Sequence, residues 1–530
     1  MLTTNKRIAK NTLFLYIRMF IMMGVSLYTS RAVLQKLGVD DFGLYNIVGG
    51  VVVLFSVFNS SLAGSTQRFL NYEMGRDDVS AVNQVFQCSI MLHVILCVIL
   101  IILAETVGLW YVNTYLNVPF GRYDAARIVY QLSVLTFCIN VLRVPFNACI
   151  IAHEKMDFYA YVSVAEAGLK LLVVFMLTMC DFDRLVFYSF LILLVTVFVN
   201  SSYMIYCSRT FPDIKTKLLW DRQKIKGMMS FSGWSLLGSA AVISAQHGIN
   251  MVLNFFCGVG LNAAAGIANQ VTSGMYGFIS NFQTAFNPQI VKLYAQKQFN
   301  DYFSLIFRAS KFSFLLFWLI SVPVFLYAPI LLDYWLDEVP PHAVSFCRVI
   351  FIYLLIDALN GPLWTAVNAT GKIRIYQILM SGIILCNIPV AILLLWFGLE
   401  PELVWFSKII FNIIAMIVRW GYLRRIVGFS YCKYITNVIV PLSLVIFLTI
   451  VPLSILYLSS FDINIWICIL SSLLYVLFVS YILGLNKQEK FEIKKCLCKM
   501  LLNFKHYRFS NYSVFFACAV IDILKLTQDM

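Results

Sequence analysis

Charge is what this chain has least of. Only 12% of its 530 residues are Asp, Glu, Lys or Arg, while 61% are hydrophobic and the mean hydropathy is +0.82. So little polar surface could not cover several water-facing domains, which excludes a soluble multidomain protein. Acidic residues are the scarcer sign, 26 against 40 basic, leaving a net charge of +14. Metal-ligand spacing is also lacking. The 14 Cys are scattered, mostly within apolar runs, and Cys496-Leu-Cys498 lies in a basic stretch, so unpaired, reduced thiols are expected and neither metal nor cofactor is. Lys6, Arg7 and Lys10 precede an apolar run in the manner of a signal peptide, but the run is too long, contains Arg18 and has no small-residue cleavage site. It reads as a first membrane span.

What is present is a series of apolar runs. A helix needs about 20 apolar residues to cross the hydrocarbon core, and fourteen runs qualify, with limits near 11–34, 45–67, 84–106, 125–148, 159–180, 185–207, 228–256, 264–287, 308–332, 344–368, 376–398, 403–423, 436–458 and 465–485. The expected fold class is all-α and polytopic. With the N-terminus inside, 27 of the 40 Lys and Arg fall in cytoplasmic segments, 3 in external loops and 10 within spans, as the retention of basic residues on the cytoplasmic side requires. Both termini are therefore expected in the cytoplasm. The positive charge follows from this topology and from attraction to anionic headgroups; it needs no nucleic acid.

The chain also repeats itself. Ile139, Asn140, Leu142, Pro145, Ala152, Lys155 and Tyr159 recur 217 residues later as Ile356, Asp357, Leu359, Pro362, Ala369, Lys372 and Tyr376. A second echo sets Gly43–Val48 against Gly266–Val271, offset 223. Six spans per half is an even number, so equivalent helices run the same way and the repeats are parallel, as in transporters whose path lies between two halves. The expected organisation is an N-terminal six-helix lobe over 1–210, a basic linker at 209–226, a C-terminal six-helix lobe over 227–430, two further spans over 436–485, and a basic cytoplasmic tail over 486–530 that begins as a surface-lying amphipathic segment.

From Gly227 to Val291 there is no Asp, Glu, Lys or Arg, yet Gly, Ala, Ser, Asn and Gln are frequent. Small residues allow close helix approach, and amides hydrogen-bond across helices or line a wet interior; Asn250, Asn254, Asn269, Gln270, Gln283 and Asn287 are suited to either. Gly258-Val-Gly260 superficially matches a dinucleotide fingerprint, but no strand precedes it. Pro145 and Pro362 remove a backbone donor at matching positions and shape the interior or act as hinges.

Arg31 to Tyr45, then Gln67-Arg68-Phe69, His153-Glu-Lys155 after the fourth span and Asn287-Pro288 closing the eighth resemble polysaccharide export flippases of the multidrug/oligosaccharidyl-lipid/polysaccharide superfamily. The resemblance covers about residues 1–430. It implies a non-enzymatic protein of the bacterial inner membrane that moves an undecaprenyl-diphosphate-linked oligosaccharide between leaflets by alternating access, for surface polysaccharide such as lipopolysaccharide O-antigen, around a central cationic cavity. An ion-coupled drug or metabolite antiporter of the same superfamily is the alternative. A membrane polysaccharide polymerase is another, but the longest external segment, Glu105–Asp124, has about 20 residues, and such enzymes generally place their chemistry in a large external loop.

A diphosphate does not cross hydrocarbon unaided, so a carrier supplies buried cations to it. Arg18 lies about 10 Å into the first span and Lys170 about 16 Å into the fifth, at 1.5 Å per residue. Snorkelling to the interface is the competing reading for Arg18, and pairing with Glu166, one turn before, is that for Lys170. Arg31 and Arg68 hold family-like positions and equally suit interfacial anchoring, while Arg143 and Lys408 near span ends read as snorkelling. Where related lipid flippases place an Arg in the eighth span, this chain has Asn269 and Gln270. Asp357 sits mid-span in the tenth run; with Glu166 it is a candidate for coupling a proton or sodium ion, the other reading being a hydrogen bond to a neighbouring helix. His93 and His247 titrate near neutral pH, although core histidines are commoner.

Overall fold

In lipid every backbone polar group must be satisfied within the chain, so long apolar runs become helices. The computed structural model describes residues 2–38, 41–42, 44–45, 56–114, 121–179, 183–211, 214–336, 339–458 and 465–491, and among these there is no strand. In chain order the main helices are α1 (Leu2–Leu37), α2 (Ser56–Gly75), α3 (Val79–Leu103, extended through a π-turn to Thr114), α4 (Tyr123–Ala152), α5 (Met156–Met176), α6 (Arg184–Thr210), α7 (Arg222–Ala295), α8 (Phe299–Leu326), α9 (Ala328–Trp335), α10 (Ala343–Thr370), α11 (Arg374–Leu385), α12 (Asn387–Trp396), α13 (Glu402–Val427), α14 (Tyr431–Tyr434), α15 (Val440–Leu458) and α16 (Ile465–Val479).

Eleven helices among the described residues are long and apolar enough to cross a membrane. The other three expected spans are accounted for by their chemistry or position. The first lies in α1, whose apolar part is Asn11–Ser26. The second falls partly outside the described residues and continues into α2, and the eighth is the polar second part of α7, beyond a break at Gly258 with φ 79° and ψ −174°. That break, where a left-handed φ suits glycine, is the real role of the Gly258 region; no nucleotide loop is formed. The all-α polytopic expectation holds.

Ends are fixed locally. Asp78, Asp183 and Asp221 cap α3, α6 and α7 by accepting backbone N–H groups at 2.9–3.2 Å, each cap contributing about 1 kcal/mol. Gly371 and Gly428, both at φ 73°, end α10 and α13.

The chain divides into two compact units, one over Lys10–Val438 and a second made of Met1–Ala9 with Ile439–Met530. In the larger unit the helices that carry Pro145 and Pro362 hold equivalent positions. α4 packs on α2, α3 and α6, while α10 packs on the second part of α7, on α8 and on α13. Phe86 and Phe146 meet edge to face at 5.5 Å in the core of the first set. In the second, Tyr302 is fully buried and its hydroxyl donates to the Ala366 carbonyl at 2.9 Å, the partner a buried phenol needs. In the smaller unit α15 packs on α16, and the Tyr475 hydroxyl donates to the Leu448 carbonyl at 2.9 Å. A reciprocal capping box between Asn486 and Glu489, both bonds 2.8 Å, starts the tail. Its remainder beyond Phe491, including Cys496 and Cys498, lies outside the described residues, as does most of the Gly43–Val48 echo.

Candidate functional site

The strongest concentration of intramembrane charge lies where α4, α5 and α6 meet α1. On α5, Lys170 donates to Glu166 Oε1 at 2.7 Å, the i,i+4 pair legible in the sequence. Glu166 Oε2 accepts a second cation, Arg143 of α4, at 3.3 Å. This corrects the snorkelling expectation for Arg143: its guanidinium turns inward because a carboxylate on the neighbouring helix offers compensation that lipid does not. The Arg143 guanidinium also lies 5.6 Å from the Tyr203 ring centre on α6, and that of Arg18 lies 4.4 Å from the Tyr159 ring centre on α5. Tyr203 is within electrostatic reach of Arg143, Glu166, Arg18 and Tyr159 together. Two cations thus meet a single carboxylate, and Arg18 adds a third positive charge nearby, across the Tyr159 ring. Arg18 Nε is buried with no hydrogen-bond acceptor, and Lys170 keeps 38% of its side chain exposed. The group therefore carries surplus positive charge with donors still to be used.

Arg68 is not brought to this cluster. It lies at the Lys/Arg-rich end of the bundle, where its Nη2 donates to the Ala369 carbonyl at 3.0 Å. The side chain of Arg31 lies outside the described residues. Asn269 is engaged with Asn250 at 3.4 Å, and Gln270 is exposed. Of the other amides in that stretch, Gln283 donates to the Ala358 carbonyl at 3.3 Å and Asn287 accepts from Thr365 at 2.9 Å, so they tie α7 to α10. The Gln283 amide lies against Gly361, where a Cβ would displace it.

Asp357 of α10 has a setting of its own, within electrostatic reach of Arg419, Tyr276 and Tyr353. Arg419 is 7% exposed and donates through Nε to the Tyr376 hydroxyl at 2.8 Å, with Nη1 buried and unbonded. Asn360 donates to Asn412 at 2.8 Å alongside. Arg419 and Asn412 are functional candidates that sequence reasoning missed; the signal was an Arg inside the twelfth run, four residues from its end. Lys408 stacks on Trp405 at 3.8 Å. His93 is a core histidine, fully buried with Nδ1 2.8 Å from the Ser89 carbonyl. No cluster of His, Cys, Asp and Glu able to hold a metal occurs among the described residues.

Comparison with known proteins bears on this architecture. The MatE family model matches residues 240–393. The membrane protein EpsK of Bacillus subtilis (strain 168) is 21% identical over 445 residues, which is 80% of this chain and 84% of EpsK. The crystal structure of MATE in the straight conformation is similar with a TM-score of 0.68 at 18% identity, covering 79% of this chain and 96% of its own. A MOP superfamily transporter from Pyrococcus furiosus, whose report draws a different function from the reversed polarity of its binding pocket, matches with a TM-score of 0.66 at 17% identity over 78% and 95%. The chain has the MATE fold. In a MATE fold of this composition, the chain is a multi-pass membrane protein, and Arg143, Glu166, Lys170 and Asp357 lie on helices long and apolar enough to span.

One group beside the Lys/Arg-rich end has its titration shifted downward. His153, just past α4, stacks on Phe211 at 3.8 Å, with Nδ1 2.8 Å from the Cys149 carbonyl. Burial, then the nearby Lys292 and Lys155 charges, hold its imidazole below the usual value. The folded chain therefore resists a proton that the unfolded chain takes up below pH about 6.5. Stability is fully present above that pH and falls as the pH drops toward the folded value. Thermal unfolding in detergent should show a midpoint that drops between pH 7 and pH 5, and drops less in His153→Phe; equal pH dependence in both would remove His153 as the cause.

Proposed function

We propose that this chain is a flippase that carries an undecaprenyl-diphosphate-linked oligosaccharide between the leaflets of a bacterial inner membrane, without chemical conversion of the lipid. The observation that supports this reading is the pairing of both Arg143 and Lys170 with the one carboxylate of Glu166, with Arg18 close by across Tyr159. A diphosphate brings negative charge and several strong acceptors, and charge-assisted hydrogen bonds to Lys and Arg are roughly twice as strong as neutral ones. Arg18, Arg143 and Lys170 are the diphosphate-binding groups, Arg68 and Arg31 stand toward the membrane surface, and the amide-rich face with Gln270 and Asn254 faces the sugars. The lobes over 1–210 and 227–430 rock about this site, with both termini cytoplasmic and the basic tail on anionic lipid. An inside-negative potential adds about 2.3 kcal/mol per charge per 100 mV to outward movement of an anion, and Asp357 and Glu166 are the candidates for coupling a proton or sodium ion.

The second reading, a drug or metabolite antiporter, is favoured by the MatE match and by the MATE structures. Surplus positive charge repels the cationic drugs that such a carrier would export, which is why the lipid diphosphate is preferred. Polarity of the site is the discriminating property, as it is for the Pyrococcus protein. The test is direct: purified protein in proteoliposomes with a fluorescent undecaprenyl-diphosphate oligosaccharide, scored by loss of quencher protection. Acceleration over protein-free vesicles is expected. Cationic-dye efflux with no lipid flipping would replace this reading by the antiporter.

A further inference from the structure

The two ends of the repeat are tied to one another, each by the other's cation. Arg68 of α2 reaches across to α10 and donates to the carbonyl of Ala369 at 3.0 Å. Lys292 at the end of α7 reaches across to α4 and donates to the carbonyl of Ala152 at 2.7 Å. Ala152 and Ala369 are repeat partners, and Arg68 and Lys292 are 224 residues apart, within one residue of the second offset. The contacts are therefore the same contact made twice, in opposite directions. Both cations meet a helix C-terminus, where carbonyls lack intrahelical partners and the dipole favours positive charge.

The residues two beyond each carbonyl complete the device, and they differ. Glu154 and Gly371 are again repeat partners and both are left-handed, at φ 59° and 73°. Glycine takes this conformation freely, and Gly371 is also needed because a Cβ would come within 2.6 Å of Arg68 Nη2. A glutamate there is strained. Its side chain supplies the reason: the Glu154 carboxylate is fully buried and accepts from Lys292 at 2.9 Å and from Gln289 at 2.5 Å. The neighbouring backbones are pressed together as well, since a Cβ on Gly75 would fall 2.8 Å from Lys292 Cα and from Ala295 Cβ.

We propose that Arg68 and Lys292 form a symmetric pair of latches that hold the Lys/Arg-rich end of the molecule shut, and that they release together when that end opens to cargo. The proposal rests on the alternating-access reading, but its test needs no cargo. Spin-label side chains are placed at the exposed positions Lys155 with Gln296, beside the Lys292 latch, and Arg76 with Lys372, beside the Arg68 latch, and distances are measured in lipid nanodiscs. The unsubstituted latches should give a dominant short distance at both pairs. Lys292→Met should shift the open-to-closed ratio about tenfold to a hundredfold, the range for losing a charged hydrogen bond, and should do so at both pairs, including the one whose latch is intact. Arg68→Met should do the same, and Lys292→Arg should retain the short distance. Glu154→Gly, which relieves the backbone and removes the side chain that pairs with Lys292, gives a second route should Lys292→Met fold poorly, with the same lengthening expected at both pairs. Unchanged distances, lengthening confined to the mutated latch, or no short population at the start would each overturn the proposal. None of these outcomes bears on lipid flipping, which fails or succeeds in its own assay.

Discussion

Replacing Arg143, Glu166 and Lys170 together by glutamine should leave a folded protein that no longer flips lipid-linked oligosaccharide, with a rate about a hundredfold lower in proteoliposomes, at about tenfold per lost cation. The triple variant matters because single changes are ambiguous. Removing Lys170 or Arg143 alone leaves Glu166 in a one-to-one pair with the other cation, so a charged group remains in the span and its effects on stability and on transport are mixed. Three glutamines keep polar, hydrogen-bonding side chains at the three positions and remove the charges of the Arg143, Glu166 and Lys170 network together. Were the cluster only an ion network joining α4 to α5, the triple variant would transport normally, since replacing a buried pair by neutral groups is often harmless to stability. Arg18→Ala, which acts from α1 across Tyr159, should cost about tenfold in rate without altering thermal stability. Wild-type flipping in the triple variant would remove the diphosphate site and leave the fold untouched.

The sequence carried the helical framework because lipid enforces it: a 20-residue apolar run has few alternatives to a spanning helix. Its weakest point was the eighth run. Its Asn, Gln, Ser and Gly content lowers hydropathy below the level of an ordinary span, and the structure spends those amides on α10 through Gln283 and Asn287. The pair Glu166 and Lys170 was legible because four residues are one helical turn. Arg143 was not, since it lies 23 residues away from Glu166 on another helix, and nothing local distinguishes an Arg that snorkels from one that turns to a carboxylate across an interface. The same limit hid Arg419, whose partner Tyr376 is 43 residues away. The repeat marked Ala152 and Ala369, but as echoes only; that each receives a cation from the other half is a tertiary fact without local periodicity. Glu154 is the instructive case, a residue whose backbone conformation argues for glycine and whose side chain argues for something else.

Asp357→Asn should separate carriage from coupling. Its carboxylate occupies a span between Arg419 and two tyrosines, where a charged group persists only with compensation or by exchanging an ion. The repeat counterpart of Asp357 is Asn140, so one half already carries the amide that the variant introduces in the other. If Asp357 binds the coupling ion, the steady-state transbilayer distribution of cargo in wild-type proteoliposomes should change about tenfold for each tenfold proton or sodium gradient, since one ion falling down such a gradient releases about 1.4 kcal/mol. Asp357→Asn should abolish that response while retaining potential-driven movement of the anion, because the proposed diphosphate site, on α1, α4 and α5, is left intact. A gradient response that survives in the variant, or one missing from the wild type, would reassign Asp357 to holding α10 in register with Arg419. If the wild type shows no gradient response, the force on the cargo reduces to the membrane potential acting on its phosphates, which at about 2.3 kcal/mol per charge per 100 mV already exceeds a single tenfold ion gradient; a response that survives in the variant places the coupling group elsewhere.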